Sequence, residues 1–269
     1  MIDPFNVALL GMAAVIVLVA LGMPIAFVTA AVGMGGLIVL RGFGPAAVLA
    51  GGVPHSEVSS YTLVVLPFFI MMGSFAASAG ITTDLYKMAK AWVGHLPGGL
   101  AIATTWGTAL WSAISGSSTA TAAVMGRMAV PEMLAHGYDK KLAAGSVAAG
   151  AAMDALIPPS VVMIVYGLLT ESSIGPLLIA GFIPGFMEAG TFAVLIYVIA
   201  RRNPALAPPA ERVGWGGRAA SVFKAGNWAF LTIFFVVFGG IYLGVFTPTE
   251  AGGIGAFGTF LTALFLGRL

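Results

Sequence analysis

The stretch Ile114-Ser-Gly-Ser-Ser-Thr-Ala-Thr121 interrupts an apolar run that covers residues 97–130. Each arm beside it is shorter than the roughly 20 residues that a helix needs to cross a bilayer. We therefore predict two half-helices that meet at Ser115–Ser118 and form a re-entrant helical hairpin over 97–130. A second apolar run, 142–170, is interrupted by Ile157-Pro-Pro-Ser160. Because proline removes a backbone donor and kinks or breaks a helix, this run predicts a broken transmembrane helix.

The composition excludes an ordinary water-soluble domain. Of the 269 residues, 59% are hydrophobic and 8% are charged, with a mean hydropathy of +1.02, whereas a soluble domain carries about 25% charged residues. The absence of cysteine excludes disulfides, cysteine-ligated zinc and thiol catalysis. We predict an all-α polytopic membrane protein that is surrounded by the lipid bilayer and does not bind nucleic acid. Further apolar runs cover 7–21, 24–40, 63–79, 174–200, 227–244 and 251–267.

The basic residues indicate how the chain is oriented in the membrane. If the hairpin enters and leaves through one membrane face, eleven of the twelve Lys and Arg residues lie on the same side, and only Arg41 lies on the other. Short cytoplasmic loops carry an excess of basic residues. We therefore expect the N-terminus, and a loop over 41–62, on the outer side of the membrane.

The two interruptions supply candidate binding groups. Non-helical backbone at membrane depth is tolerated only where it lines a protein-enclosed cavity, and interrupted helices point to a transporter site. The helix that begins after Ser117 has a positive end suited to a carboxylate, and the helix that ends near Leu156 has a negative end suited to a small cation. The candidate cation ligands are Ser115, Gly116, Ser117, Ser118, Pro158, Pro159 and Ser160. The candidate solute ligands are Ser117, Ser118, Thr119 and Thr121. The alternative is that these residues serve only close packing and helix kinking.

Asp154 is the most unusual residue chemically, because it lies about one helical turn before the proline pair. A charged aspartate near the bilayer centre costs roughly 2.5–3.5 kcal/mol on insertion scales. A bound cation or proton would relieve that cost, so Asp154 is a candidate for cation or proton coupling. The alternative is a neutral, hydrogen-bonded carboxyl that locks helix packing. Glu188 also lies in an apolar run, where it either packs against a partner or takes part in transport. His55, His95 and His136 fall in predicted loops without a second histidine nearby, so no transition-metal site is expected.

Seven phrases carry a resemblance to a known family, and their order spans nearly the whole chain. They are Leu21-Gly-Met-Pro-Ile-Ala-Phe27, Leu66-Pro-Phe-Phe-Ile-Met-Met-Gly73, Gly94-His-Leu-Pro-Gly-Gly-Leu-Ala-Ile-Ala-Thr104, Ile114-Ser-Gly-Ser-Ser-Thr-Ala-Thr-Ala-Ala123, Ile157-Pro-Pro-Ser160, Gly181-Phe-Ile-Pro-Gly185 and Phe246-Thr-Pro-Thr-Glu-Ala251. With them the sequence resembles the large membrane subunit of tripartite ATP-independent periplasmic (TRAP) transporters, the DctM-like family.

The resemblance implies a permease subunit of a sodium-coupled secondary transporter that imports organic acids. It implies that the chain is not an enzyme, and that Na⁺ is the coupling ion without any other cofactor. The implied partners are a small TRAP membrane subunit and a periplasmic substrate-binding protein. The implied mechanism is an elevator, in which a transport domain moves against a scaffold. The expected location is the bacterial inner membrane, with several spans and a periplasmic N-terminus.

The resemblance also divides the chain into functional parts. One part, an arm helix over 81–96, is also indicated by the residues themselves, since Leu85, Met88 and Trp92 recur at helical spacing among charged residues. The parts are scaffold helices (1–80), an interfacial arm helix (81–96), a transport domain (97–200) with the hairpin (97–130) and the broken helix (142–170), a cytoplasmic loop (201–226) and the start of a second scaffold repeat (227–269).

Two features depart from the family pattern. Members usually carry small or apolar residues before Ile-Pro-Pro-Ser, whereas this chain has Ala152-Met-Asp154-Ala155. The family subunit is an inverted duplication, and this chain resembles its first repeat with the opening helices of the second, which we interpret as a truncated form. The alternatives are an intramembrane hydrolase that uses Asp154 and Glu188, or Ser115 as nucleophile, and a non-transporting assembly module. The hydrolase is disfavoured because no histidine at membrane depth is available as a base for Ser115.

Overall fold

The computed structural model describes residues 3–268, and every regular element in that range is helical. No β-strand occurs between those two residues, so the prediction of an all-α fold is confirmed. The chain divides into two compact units, Met1–Leu63 and Val64–Leu269, and each is described by itself.

The first unit is built from α1 (Pro4–Ala20), α2 (Ile25–Arg41) and α3 (Phe43–Val58). The α1 helix begins where Asp3 accepts a hydrogen bond from the backbone N–H of Phe5 at 3.0 Å. An aspartate at this position satisfies a backbone donor that the first helical turn leaves free. Helices that follow one another pack together, α1 on α2 and α2 on α3. Their large apolar side chains are mostly exposed, as lipid contact requires.

The α3 helix shows that the loop expected over 41–62 was wrong. That expectation rested on the interval between the apolar runs 24–40 and 63–79. Gly42 does end α2, at a φ of 85°, but a glycine in this conformation lets the chain turn and start another helix at once. Pro54 is accommodated inside α3, and His55 therefore lies in a helix.

The second unit contains the remaining helices. In chain order these are α4 (Val65–Ser78), α5 (Ile81–Val93), α6 (Gly99–Ser115), α7 (Ser118–Ala135), α8 (Lys140–Ala152), α9 (Val161–Leu169), α10 (Ile174–Ala180), α11 (Phe182–Arg202), α12 (Trp215–Val222), α13 (Ala225–Tyr242) and α14 (Pro248–Phe265). Short 3-10 turns of this unit span Met153–Ala155 and Pro204–Leu206, and another, Tyr61–Val64, lies at the boundary between the two units.

Two segments of this unit differ from the sequence prediction. The apolar run 174–200 is divided at Gly181 into α10 and α11. The segment 201–226, expected to be a loop, contains α12, which packs on α5. Its Trp215 ring meets Trp92 edge to face, with the ring centroids 6.4 Å apart. An eight-residue helix is too short to show a periodic pattern in the sequence, and here tertiary packing stabilises it.

Several helices have the length and composition of membrane spans. Two candidate spans are long and apolar enough to cross a bilayer. One is residues 174–202, which comprise α10 and α11, and the other is α13. The pair α4 and α5, bent by 67°, forms a third candidate if it counts as one span. The shorter helices α1 and α2 are also apolar. These spans fit a transmembrane protein, while the orientation of the N-terminus stays a prediction.

The α6 helix forms the centre of the second unit. Its residues Gly99–Ile114 are buried almost throughout, and it packs against α4, α5, α7, α8 and α11. Close approach to α8 depends on Gly150, where a Cβ atom would lie 2.9 Å from the Thr108 side chain. Small residues allow membrane helices to pack this tightly. The core therefore holds the end of α6, where the first interruption lies, in a fixed position.

The bend between α4 and α5 is held by a residue from the other end of the unit. The α4 helix packs along α14. Gly80 takes a positive φ of 73° at the bend. The Arg268 guanidinium, which follows α14, donates a hydrogen bond of 2.8 Å to the Ala79 carbonyl. Further along α5, Lys90 forms an ion pair with Glu132 of α7. The arm helix α5 is thus tied to α14 at its start and to α7 near its end.

Candidate functional site

The first interruption is a two-residue break between α6 and α7. The α6 helix ends at Ser115, and Gly116 takes a positive φ of 63°, a conformation that glycine adopts without strain. Ser117 caps α7, because its side-chain oxygen accepts a hydrogen bond from the backbone N–H of Ala120 at 3.5 Å. The Ser115 hydroxyl accepts a second one, from the backbone N–H of Ser117 at 3.3 Å. The serines thus supply hydrogen bonds that the broken helix loses.

The second interruption is longer and separates α8 from α9. After α8 ends at Ala152, a 3-10 turn leads into the proline pair. Ser160 then caps α9 by accepting a hydrogen bond from the backbone N–H of Met163 at 3.4 Å. Its own hydroxyl donates to the Ala155 carbonyl at 2.9 Å. Ser160 therefore closes the break at both ends.

The two interruptions touch each other. The backbone N–H of Val161 donates a hydrogen bond of 3.2 Å to the carbonyl of Gly116. A Cβ atom at Gly116 would lie 2.8 Å from the Pro159 carbonyl oxygen, closer than ordinary contact allows. Glycine is required here because the two backbones approach directly. The chain thus brings together the two segments from which the sequence predicts a binding site.

A cavity of about 500 Å³ opens beside the first break. This volume lies in the range of roughly 300–1,000 Å³ that is typical of small-molecule pockets. Of the predicted residues, the cavity is lined by Ser115, Gly116, Ser117, Ser118 and Thr119. Its other walls come from α4, from α6 through Trp111, and from the start of α9.

The wall formed by α4 was not foreseen from the sequence. Gly73 faces the break so closely that a Cβ atom there would lie 3.1 Å from the Cα atom of Ser115. Ser74 and Ala77 also line the cavity, as does Trp111 of α6. The available signal was the pair Gly73 and Ala77, since small residues four positions apart share one helix face and permit close approach.

Four predicted residues are not among those that line the cavity. Pro158, Pro159 and Ser160 are buried and directly precede α9. Thr121 is fully buried on α7, where its hydroxyl forms a hydrogen bond of 2.8 Å with the hydroxyl of Ser115. Thr121 therefore reaches the cavity only through Ser115.

Asp154 lies on the far side of Thr121 and is almost completely buried, with 1% of its surface exposed. The Thr121 hydroxyl donates a hydrogen bond of 3.2 Å to its Oδ1 atom. The Oδ2 atom has no hydrogen-bond partner, and neither has the buried hydroxyl of Ser112 beside it. Asp154 is thus connected to the first break by a chain of hydroxyl groups that runs through Thr121 to Ser115.

The other candidate residues lie apart from this arrangement. Glu188 is half-buried on α11, outside the cavity lining, and one of its carboxylate oxygens has no hydrogen-bond partner. His95 lies between α5 and α6, where its Nδ1 atom is 3.3 Å from a guanidinium nitrogen of Arg218. Burial and the charge of Arg218 lower the pKa of His95. Across residues 3–268, no three His, Cys, Asp or Glu side chains are grouped to hold a metal ion.

The arrangement offers hydroxyls, backbone carbonyls and the positive end of α7, but no nucleophile and base pair. In the part of the chain that the structure describes, the hydroxyl of Ser115 has hydrogen bonds with Thr121 and the Ser117 backbone, and no histidine is among its partners. A serine nucleophile needs a base within hydrogen-bond reach. The geometry therefore suits non-covalent binding and does not support Ser115 as the nucleophile of a hydrolase.

The family model and the known relatives that match the chain all indicate the same family. The family model "Tripartite ATP-independent periplasmic transporter, DctM component" matches residues 12–269. The C4-dicarboxylate TRAP transporter large permease protein DctM of Pseudomonas aeruginosa is 40% identical over 237 residues, which are 88% of this chain and 55% of that protein. The protein of the same name from Vibrio cholerae is 37% identical over 208 residues, 77% of this chain and 45% of the relative. The sialic acid TRAP transporter large permease protein SiaM of Vibrio cholerae is 34% identical over 254 residues, 92% and 56% of the two chains.

These matches identify the relatives of the chain and show how much of each relative it covers. The chain spans about half the length of the curated relatives it matches. The relatives are permeases, so the prediction that the chain is not an enzyme is confirmed. Since the family model covers almost the whole sequence, the chain belongs to the DctM component family of tripartite ATP-independent periplasmic transporters.

Proposed function

We propose that the chain is the permease component of a TRAP transporter that imports an organic acid across the bacterial inner membrane. The observation that carries the proposal is the direct contact between the two interrupted helices, through Val161 and Gly116, beside a cavity. Interrupted helices that meet at membrane depth are the usual building blocks of solute and ion sites in secondary transporters. Two relatives are named for C4-dicarboxylates and for sialic acid, which are carboxylic acids.

The solute site we propose lies at the start of α7. Ser117, Ser118 and Thr119 line the cavity there, and backbone N–H groups of the first helical turn lack helical partners. The positive end of a helix dipole favours an anion, so a carboxylate is the group that fits best. Thr121 contributes indirectly, since its hydrogen bond orients the Ser115 hydroxyl. A largely apolar wall beside these polar groups suits the carbon skeleton of an organic acid.

Na⁺ is the coupling ion in this proposal. Its candidate ligands are the carbonyl and hydroxyl oxygens of Ser115, Gly116, Ser117, Ser118, Pro158, Pro159 and Ser160. Their support is the contact of the two breaks, which places carbonyl-bearing backbone from both segments side by side. Unwound backbone carbonyls at such breaks are the groups that coordinate coupling cations in transporters.

The remaining parts of the proposal concern movement and assembly. Residues 97–200 act as the transport domain of an elevator, residues 1–80 as scaffold, and residues 81–96 as the arm between them. The tie between α5 and α7 through Lys90 and Glu132 supports a coupling role for the arm. The partners are a small TRAP membrane subunit and a periplasmic substrate-binding protein that delivers the solute. The N-terminus faces the periplasm.

The test is uptake by the complete gene product, reconstituted in proteoliposomes with its small membrane subunit and its binding protein. An inward Na⁺ gradient should drive accumulation of a labelled acid from a panel that includes succinate and sialic acid. Uptake of none of the acids, or uptake that is indifferent to the Na⁺ gradient, contradicts the proposal.

Two serine variants test the site itself. Ser118→Ala removes a hydroxyl that lines the cavity, and losing a hydrogen bond to a charged group costs about 1.5–3 kcal/mol, so half-maximal uptake should require at least about tenfold more solute. The matched control is Ser78→Ala, because the Ser78 hydroxyl is exposed on α4 and bonds to the carbonyl of Ser74 in its own helix. Equal uptake by the two variants places the solute site elsewhere.

A further inference from the structure

We propose that Asp154 is a proton-binding site, and that its proton crosses the membrane together with the solute and Na⁺. The inference rests on the proposed transport function and adds a second coupling ion to it. It arises from Asp154, the carboxyl in the stretch Ala152-Met-Asp154-Ala155 before the proline pair.

The carboxyl group of Asp154 is enclosed by protein and incompletely satisfied. It is 99% buried, and Thr121 supplies one hydrogen bond, to Oδ1 at 3.2 Å. Ser112 lies beside the carboxyl. Neither its hydroxyl nor the Oδ2 atom has a hydrogen bond of normal length and angle. An added proton on Oδ2 would give the carboxyl a donor, and a hydrogen bond from it to the neighbouring Ser112 oxygen would satisfy both groups.

No positive side chain compensates a negative charge at Asp154. The 3-10 turn that carries it packs against α6, α7, α8, α9 and α11. The α6 helix has no ionisable side chain. The ionisable groups on the other four helices are Arg127 and Glu132 on α7, Lys140 and Lys141 on α8, Tyr166 on α9, and Glu188, Tyr197, Arg201 and Arg202 on α11. Among the described residues, none of these forms a hydrogen bond or ion pair with Asp154, and the groups beside its carboxyl are the hydroxyls of Ser112 and Thr121. A buried carboxylate without a cation is costly, and a proton removes that cost.

A proton fits this site better than a metal ion does. Neither Asp154 nor Thr121 lines the cavity, and both side chains are buried, so a hydrated cation in the cavity does not contact the carboxyl directly. Oxygen-bound cations such as Ca²⁺ and Mg²⁺ collect about six ligands. One carboxyl and two hydroxyls fall short of that number.

A route for the proton is present in the hydroxyl chain. Thr121 joins Asp154 at 3.2 Å and Ser115 at 2.8 Å, and Ser115 lines the cavity. A proton taken from water in the cavity would reach the Oδ1 atom of Asp154 through these two hydroxyls, each passing one proton on and receiving another. A half-turn of the carboxyl group would then place the protonated oxygen on the side of Ser112. Release on the opposite side of the membrane reverses the same steps. Asp154 would therefore exchange its proton with the side of the membrane to which the cavity is open.

The first experiment measures the accumulation of solute by the complete transporter in proteoliposomes. With a fixed Na⁺ gradient and the membrane potential held at zero, an added inward gradient of one pH unit should raise equilibrium accumulation about tenfold if one proton accompanies each solute. Asp154→Asn should abolish this response to the pH gradient. The matched control is Glu188→Gln, which removes the carboxyl of α11 and should retain the response.

The outcomes separate this inference from the function on which it rests. Absence of sodium-driven uptake in the wild type defeats the proposed function. Sodium-driven uptake without a response to the pH gradient, or a full response in Asp154→Asn, overturns the proton site alone.

A second measurement does not depend on transport. Infrared difference spectra between acid and alkaline pH should contain a protonated-carboxyl C=O band that is lost in Asp154→Asn. In Thr121→Val the band should shift in frequency, because the hydrogen bond to Oδ1 is gone. A wild-type spectrum without such a band, or one unchanged in both variants, overturns the assignment.

Discussion

Replacing Gly116 by alanine tests the contact between the two interrupted helices. Gly116 has a φ of 63°, and an added Cβ would lie 2.8 Å from the Pro159 carbonyl oxygen. The matched control is Gly244→Ala. Gly244 follows α13 with a similar φ of 72°, but nothing lies within 4 Å of the position that its Cβ would occupy. The two variants share the backbone penalty and differ in the contact.

The expected cost follows from these two contributions. A left-handed conformation costs a residue with a Cβ roughly 1–2 kcal/mol, which is the whole effect expected for Gly244→Ala. Gly116→Ala adds an overpacked contact, typically about 1–3 kcal/mol. The Pro159 carbonyl is part of the backbone, and the neighbouring Val161 is hydrogen-bonded to Gly116, so the contact is not relieved by rotating a side chain. We expect a total loss of about 2–5 kcal/mol in the free energy of unfolding.

The assay is reversible unfolding of the purified protein in mixed detergent micelles, with helical circular dichroism as the signal. Gly116→Ala should lose about 1–3 kcal/mol more than Gly244→Ala. Equal losses in the two variants would refute the reasoning, because the backbones of the two breaks would then not be in direct contact.

Three further predictions concern the periphery of the second unit. A double-mutant cycle with Lys90→Ala and Glu132→Ala should give a coupling of no more than about 1 kcal/mol, since both side chains are close to one-third exposed; a coupling several times larger would contradict this. Burial and the charge of Arg218 hold the pKa of His95 below its ordinary 6.5. Between that lowered value and 6.5 the unfolded chain binds more protons, so the free energy of unfolding should decrease as pH falls through this window. The decrease should be smaller in His95→Gln, and identical pH profiles would refute it. Thr247→Ala should destabilise the protein by about 1 kcal/mol in thermal unfolding, because it removes the capping box of α14; an unchanged midpoint would count against that role.

Local chemistry made the two breaks predictable from the sequence. A glycine between serines and a pair of prolines both disfavour a continuous helix, whatever surrounds them. The contact of Val161 with Gly116 was not predictable, since it joins segments that only tertiary packing brings together. The same holds for Gly73 of α4, whose role depends on the neighbour that it faces.

The sequence also limited the prediction for polar residues and short helices. Asp154 stood out because a carboxyl is rare in an apolar segment, yet its hydrogen-bond partner Thr121 and the neighbouring Ser112 lie on two other helices. The helices α3 and α12 were missed for a related reason. Each contains glycines that favour turns locally, and packing against neighbouring helices outweighs that preference.

The hydrogen bond from Arg268 to the Ala79 carbonyl has a consequence for biosynthesis. The two residues are separated by 189 positions in the chain. At a synthesis rate of about 5–20 residues per second, α4 waits roughly 10–40 s in the membrane before α14 and this arginine are made. During that interval the bend at Gly80 lacks its long-range restraint. We expect α4 and α5 to reach their final angle only late in synthesis, so cross-links between them in stalled nascent chains should appear after α14 has left the ribosome.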